Sequence, residues 1–283
     1  MIKYNKERGI QMSAEEMQAV KLNIALIQSD IVLGEPKVNR YRLEQWMEQA
    51  MQAETKPDVL VLPEMWNTGY ALTQIDELAD LQGLESREWL SGFARRHQVN
   101  IIGGSVAQKT GSEVRNTMYT YNREGEQSGE YSKIHLFRLM EEEKYLAAGD
   151  QRVIFDLEGV AAGASICYDI RFPELARSLA LGGAKALFVP AEWPHPRLHH
   201  WRTLLTARAI ENQMYVIACN RVGVSGKDAF FGHSMIIDPW GEIIAEGSEG
   251  EEIVTAGIDF ALVDEVRSRI PVFEDRRPGL YEL

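Results

Sequence analysis

The chain has 283 residues, enough for one large domain or two, and a hydrophobic fraction of 45% that is ample for a core. A formal net charge of −12 argues against a nucleic-acid or anionic-membrane surface. The two cysteines, Cys167 and Cys219, lie in apolar strand-like runs and read as reduced and cytoplasmic, and no apolar run approaches the ~18 residues of a membrane span.

Residues 1–20 are polar with scattered methionines and have no apolar segment followed by a cleavage site. They predict an extension rather than a signal peptide. Leu22–Gln28 predicts a buried strand. Gly34-Glu-Pro36 opens a helix whose apolar positions, Leu43, Trp46, Met47 and Ala50, keep helical spacing. Asp58–Leu62 is the next strand, and it runs into Pro63-Glu64-Met65-Trp66-Asn67-Thr68-Gly69-Tyr70. Glu64 is thus an acid at the carboxyl end of a buried strand, where ligand-facing residues collect in α/β folds. A helix over 85–98 presents Trp89, Leu90, Phe93 and His97 on one face. A strand over 100–105 follows, then a hairpin of 116–122 and 128–133 turning at Arg123-Glu-Gly125.

That hairpin delivers Lys133-Ile-His135-Leu-Phe137. An irregular acidic stretch follows, Glu141-Glu142-Glu143-Lys144-Tyr145, and then Gly149-Asp150. Strands 152–157 and 160–166 flank the turn Glu158-Gly159. The second is small and apolar, and it ends in Cys167-Tyr168-Asp169-Ile170-Arg171-Phe172-Pro173. Pro173 stands at the favoured first position of a helix. Cys167 therefore sits at a strand-to-helix turn. Such a turn lifts a side chain off the sheet and aims the following N–H groups at the same point. A packed core cysteine is the alternative reading. The short strand 186–189 ends in Pro190-Ala-Glu192-Trp193-Pro194. A helix over 197–213, a strand over 214–220, a hairpin of 232–238 and 242–245, a strand over 252–258 and a helix over 260–270 complete the chain. No linker or repeat interrupts it. Residues 21–283 predict one α/β domain whose sheets mix parallel and antiparallel pairing.

Glu64, Lys133 and Cys167 each have a dull explanation alone. Together they supply a base, a fixed cation and a nucleophile, a working set for acyl transfer. A metal site is not expected. His195, His199 and His200 lie close in sequence with Glu192 nearby, but Pro196 makes that turn irregular, and there is no HExxH or paired CxxC. A papain-like pair is not supported by the residues around Cys167, and a non-catalytic binding protein would leave Glu64 and Lys133 unexplained.

Pro63-Glu64, Lys133-Ile-His-Leu-Phe and Cys167-Tyr-Asp-Ile-Arg-Phe-Pro-Glu, in that order, resemble the Glu-Lys-Cys triad of the nitrilase superfamily of carbon–nitrogen hydrolases. Arg208–Val216, Gly232–Gly241 and Ile270–Arg277 resemble its omega-amidase branch. The resemblance implies a four-layer α-β-β-α sandwich with two mixed sheets, in subunits that pair. It implies a second active-site glutamate ahead of Gly149-Asp150; Glu142 fits best, with Glu141 and Glu143 as neighbours. It implies a cysteinyl thioester with Lys133 and the Tyr168 N–H at the oxyanion, and no metal or cofactor. It implies a substrate that is a short dicarboxylic acid monoamide such as 2-oxoglutaramate or 2-oxosuccinamate, with deaminated glutathione or N-carbamoyl amino acids as alternatives. Arg171, Arg197 and the Tyr70 hydroxyl are candidates for the distal carboxylate, and Trp193 for the pocket. An ion pair with Asp169 or Glu174 is the competing role for Arg171. The segment 272–283 has few apolar residues and is expected to pack on a partner subunit.

Overall fold

A computed structural model describes residues 20–281. The extension predicted for residues 1–20 lies, apart from Val20, outside the described residues. The strands are β1 (Lys21–Gln28), β2 (Val59–Val61), β3 (Asp80–Leu81), β4 (Asn100–Ile102), β5 (Val106–Thr110), β6 (Glu113–Tyr121), β7 (Gln127–Ser132), β8 (Ile154–Leu157), β9 (Val160–Ala164), β10 (Ala186–Ala191), β11 (Tyr215–Asn220), β12 (Val222–Ser225), β13 (Asp228–Phe231), β14 (Met235–Ile237), β15 (Ile243–Glu246) and β16 (Glu252–Asp259). The helices are α1 (Pro36–Met51), α2 (Ile75–Leu78), α3 (Leu84–His97), α4 (Glu142–Tyr145), α5 (Pro173–Leu181), α6 (Leu198–Asn212), α7 (Ala261–Arg269) and α8 (Val272–Asp275).

Two sheets form the centre. One runs β16-β1-β2-β4-β6-β5-β3, with β7 also on β6; the other runs β15-β14-β11-β10-β9-β8. Both are mixed: β1, β2 and β4 are parallel, as are β9, β10 and β11, and antiparallel strands extend each sheet outward. The period of two along β1 builds the layers. Leu22, Ile24 and Leu26 join Val59, Val61 and Met118 in the core shared with the second sheet. Ala25 and Ile27 point the other way, into a core with Leu43 and Met47 of α1 and Leu90 and Phe93 of α3. Each of the larger of these side chains, fully buried, contributes ~1.5–3 kcal/mol. Helix α5 packs on β9, and α6 packs on β11 and β14. The layers are thus helix, sheet, sheet, helix. A third, two-stranded piece, β12–β13, stands apart from both sheets.

Several boundaries differ from expectation. The strand from Asn100 stops at Ile102: the Gly103 N–H still reaches the Tyr119 carbonyl of β6 at 2.8 Å, and the chain turns away at Gly104. Gly104 has φ +59°, and a Cβ there would collide with the Pro63 carbonyl, just before Glu64. The strand from Ala186 continues through Pro190 to Ala191. Its pairing with β9 ends at Phe188, so the missing N–H of Pro190 costs no ladder bond on that side. Strands β3, β5, β12 and β13 went unpredicted, and the acidic stretch contains α4. The tail is also corrected. Its first turn folds back on its own chain, with Phe273 packed against the core and covered by Arg177 and Arg267 at 5.2 and 5.0 Å from the ring centroid. Gly279, Leu280 and Tyr281 are exposed.

Candidate active site

Five chemically active side chains leave the same end of the two sheets. Glu64 follows β2, Lys133 follows β7, Cys167 follows β9, Glu192 follows β10 and Arg221 follows β11. Each arm is fixed locally. Ser105 receives the Met65 N–H on its hydroxyl and the Trp66 N–H on its carbonyl, at 2.9 and 3.0 Å, which locks the turn behind Glu64. The Lys133 N–H donates to the Asn116 carbonyl at 2.9 Å, and the Lys133 carbonyl accepts from Gly149 at 2.8 Å. Gly149 lies so close to the Ser132 carbonyl that no Cβ would fit, which explains the glycine.

Cys167 begins a short 3₁₀ turn, Cys167–Arg171, in the left-handed region at φ +46°. A non-glycine residue is held there only where its surroundings over-determine it. Asp169 supplies that constraint. Its Oδ2 accepts the Ile166 N–H at 2.9 Å and the Tyr131 hydroxyl at 2.7 Å, and its Oδ1 accepts the His135 N–H at 3.1 Å with the His135 ring Nδ1 at 2.8 Å. His135 is two residues past Lys133, and Asp169 two past Cys167. One buried carboxylate therefore ties the lysine arm to the cysteine turn.

At the centre, the Lys133 ammonium donates to Glu64 Oε1 at 2.9 Å, Glu142 Oε1 at 2.6 Å and the Tyr70 hydroxyl at 3.2 Å, so its three protons all have acceptors. Tyr70 Oη lies 2.8 Å from Glu64 Oε1 and 2.6 Å from Glu142 Oε1. Glu64 also accepts the Asn116 amide on Oε1 at 2.8 Å and the Glu192 N–H on Oε2 at 2.7 Å. Burial would raise the Glu64 pKa, but the Lys133 charge and the hydrogen bonds from Lys133, Tyr70 and Cys167 outweigh it and leave the carboxyl below its ordinary value. Burial would lower Lys133, but Glu142, Glu64 and Cys167 hold it well above its ordinary value. The Cys167 thiol is pushed well up by burial and by Glu64, which Lys133 offsets only in part. At rest the group is a neutral thiol beside an ionised carboxylate and a fixed ammonium.

A buried thiol at a strained turn, a carboxylate base and a lysine on three separate arms now stand together, and the comparisons with known proteins agree with that arrangement. The family model for carbon-nitrogen hydrolases matches residues 23–268. The chain belongs to the carbon–nitrogen hydrolase family. It is 50% identical to a 2-oxoglutaramate amidase of Bacillus subtilis over 93% of this chain and all of that protein. The crystal structure of Saccharomyces cerevisiae Nit3, a member of branch 10 of the nitrilase superfamily, superposes with a TM-score of 0.84 at 30% identity, covering 91% of this chain and 97% of that one. A carbon–nitrogen hydrolase of Xanthomonas campestris, solved with an arsenic adduct in its active site, gives a TM-score of 0.85 at 32% identity, over 93% of this chain and 99% of that one.

The pocket of this hydrolase opens over Cys167 between Tyr168, Arg171, Trp193 and Arg197. Arg171 lies over the Trp193 ring at 4.8 Å and beside Tyr168, with the His200 ring at 3.3 Å. Its competing role as an ion-pair partner is corrected. Asp169 is already filled by Tyr131, His135 and Ile166, and no carboxylate among the described residues lies within ion-pair distance of Arg171. Arg197 stands over the Phe137 ring at 5.7 Å, and its carbonyl accepts the Trp193 indole N–H at 3.1 Å. Tyr70 joins the pocket from the triad side. Its ring lines the pocket, but its hydroxyl is engaged by Glu64, Glu142 and Lys133 rather than held for a substrate carboxylate. Of the three neighbouring glutamates, Glu142 alone reaches Lys133; Glu141 pairs with Lys144 at the surface and Glu143 is exposed. The histidines do not converge on one point: His195 meets Phe231 edge-on, His200 meets Arg171 and His199 faces Thr203. Sequence reasoning missed Asn116, Asp169 and the Glu192–Arg221 pair. Glu192 had a signal, since it follows a buried strand just as Glu64 does.

Proposed function

We propose that this hydrolase removes the terminal amide nitrogen of short dicarboxylic acid monoamides, such as 2-oxoglutaramate, to give acid and ammonia. The observation that carries this reading is the pair of guanidinium groups, Arg171 and Arg197, that border the Cys167 pocket without a carboxylate partner among the described residues. Such groups fit a substrate's distal carboxylate. The 2-oxoglutaramate amidase of Bacillus subtilis supports the same choice.

In this reading Glu64 takes the Cys167 proton as sulfur attacks the amide carbon. The oxyanion is met by the Tyr168 N–H and by Lys133, whose 3.2 Å bond to Tyr70 is the longest of its three and the one to be exchanged. The C–N bond breaks as Glu64 returns the proton to the departing ammonia. Water then attacks the thioester with Glu64 again as base, the C–S bond breaks and the thiol is restored. Glu142 holds Lys133 in place and accepts the Phe137 N–H at 2.9 Å, which sets one wall of the pocket. The scheme calls for no metal or cofactor.

We further propose one catalytic domain over 21–283 behind an extension, acting as a cytoplasmic homodimer. Two unpaired cysteines support the compartment, and no described helix is long and apolar enough to cross a membrane. Exposed Leu181, Ile210, Ile243 and Ile244 support a subunit contact. An ammonia-release panel over an omega-amide acid, deaminated glutathione and an N-carbamoyl amino acid tests the substrate. The omega-amide acid should lead in kcat/KM; if another class leads, the substrate assignment is wrong.

A further inference from the structure

Glu192 borders the pocket beside Cys167 and is almost completely buried. Only half of its carboxyl is accounted for. Oε2 accepts Arg221 Nη1 at 3.1 Å, whereas Oε1 has no hydrogen-bond partner among the described residues. A buried carboxyl oxygen without a partner is costly. Arg221 does not compensate fully, because its charge is shared. Its Nη2 donates to Asp30 at 2.7 Å and to the Ile31 carbonyl at 2.7 Å, and its face lies 4.3 Å from the Phe230 ring centroid.

We propose that Glu192 is a selectivity residue: its protonated carboxyl offers the Oε1 hydrogen to an anionic substrate in the pocket, and its ionised form turns that substrate away. The inference rests on the reading of the pocket as a site for an anionic amide. With Oε2 facing Arg221, the proton of the neutral acid belongs on Oε1, the oxygen that lacks a partner. Loss of that proton replaces a donor with a negative charge in a buried site, where repulsion between carboxylates is poorly screened.

The surrounding groups leave Glu192 as the pocket carboxyl that changes charge in mildly alkaline solution. Burial first, and the nearby Glu64 charge, push its pKa up to about 8 against the opposing pull of Arg221 and Lys133. Of the other groups that face it, Glu64 is held below its ordinary value, while Lys133, Cys167 and Tyr70 are held well above theirs. Arg171 and Arg197 across the pocket carry guanidinium groups.

The test is KM against pH for 2-oxoglutaramate and for an uncharged linear primary amide of the same length, the latter as substrate or as competitive inhibitor. For wild type, KM of the anionic amide should rise about tenfold between pH 7 and 9, as the binding-competent fraction falls, while the uncharged amide changes less than twofold. Glu192→Gln cannot ionise, and its KM for the anionic amide should stay flat over that range. A flat wild-type profile, an equal rise for both amides, or an undiminished rise in Glu192→Gln would each overturn the inference. The wild-type pair of substrates decides the matter even if the variant does not fold. Absence of any hydrolysis of 2-oxoglutaramate at every pH would instead overturn the substrate reading, and the inference with it.

Discussion

Two buried carboxylates, Glu64 and Glu192, lie next to each other, each facing a buried cation, yet burial acts on them with opposite outcomes. Glu64 sits below its ordinary pKa and Glu192 is pushed up to about 8. The difference is the number of donors. Glu64 receives Lys133, Tyr70, Asn116 and the Glu192 N–H. Glu192 receives a single side-chain bond, from an arginine that also serves Asp30. Desolvation wins where one shared donor faces it and loses where the Lys133 charge and several donors face it. The same low-dielectric pocket end thus holds a ready base and, beside it, an acid that keeps its proton.

The largest effect that breaks this pairing is Cys167→Ala. Without sulfur no acyl-enzyme forms, so ammonia release should fall to background while the melting temperature stays within a few degrees of wild type. Retained turnover would remove Cys167 from the chemistry. Lys133→Ala comes next. It removes the donor that separates Glu64 from Glu192, and two buried carboxylates lose their cation. Breaking a buried ion pair typically costs ~3–5 kcal/mol of stability, and loss of an oxyanion donor ~10²–10³ in rate. Lys133→Arg should lose comparable rate, because a planar guanidinium does not fit among Glu64, Glu142 and Tyr70. Single-turnover acylation by Lys133→Ala within about tenfold of wild type, a difference of only ~1.4 kcal/mol, would show that Glu64 works without it.

This contrast between the two glutamates was only half legible in the sequence. Strand-end position marks Glu64, Lys133, Cys167 and Glu192 alike, because the period of two and the apolar runs before them are local signals. What a carboxylate becomes there depends on donors brought from far along the chain: Asn116 is 52 residues from Glu64, and Asp30 is 191 from Arg221. No spacing rule reaches that distance. The same limit explains Asp169, whose partners Tyr131 and His135 arrive on a different strand and its outgoing loop. The layered sheets were readable from β1, β2 and β9–β11, since buried parallel strands announce themselves as apolar runs. The β12–β13 hairpin did carry a turn signal in Ser225-Gly226-Lys227-Asp228, and Gly226 takes φ +60° there, but its mixed polarity hid the strands.

A smaller effect separates the two thiols. Burial raises the pKa of both, so neither is a thiolate at rest. Cys219 is fully buried with its thiol 3.4 Å from the Ile27 carbonyl, and it does not line the Cys167 pocket. Cys167 borders the open pocket and has Glu64 as an adjacent base. Iodoacetamide should therefore add one equivalent, at Cys167, with activity falling in step. Peptide mapping that found Cys219 labelled first, with activity following that label, would reverse the assignment.

The smallest effect is a slope in stability with pH, and it addresses the comparison without any substrate. In the unfolded chain Glu192 titrates near 4.5, and in the folded protein at about 8. Between those values the folded state holds one more proton at this position than the unfolded state does. Stability from this group is therefore fully present below about pH 4.5 and declines as pH rises toward 8, by at most ~1.4 kcal/mol per unit. Glu64 has the opposite sign, because its folded pKa is depressed: its contribution is present above the unfolded value and is lost on acidification. Glutamine at 192 has no proton to lose. The stability of Glu192→Gln relative to wild type, measured by urea unfolding, should therefore climb steadily from pH 5 to 8 and level off beyond. A constant difference across that range would mean that Glu192 folds already ionised, with Arg221 sufficient to hold it, and the contrast between the two carboxylates would be gone.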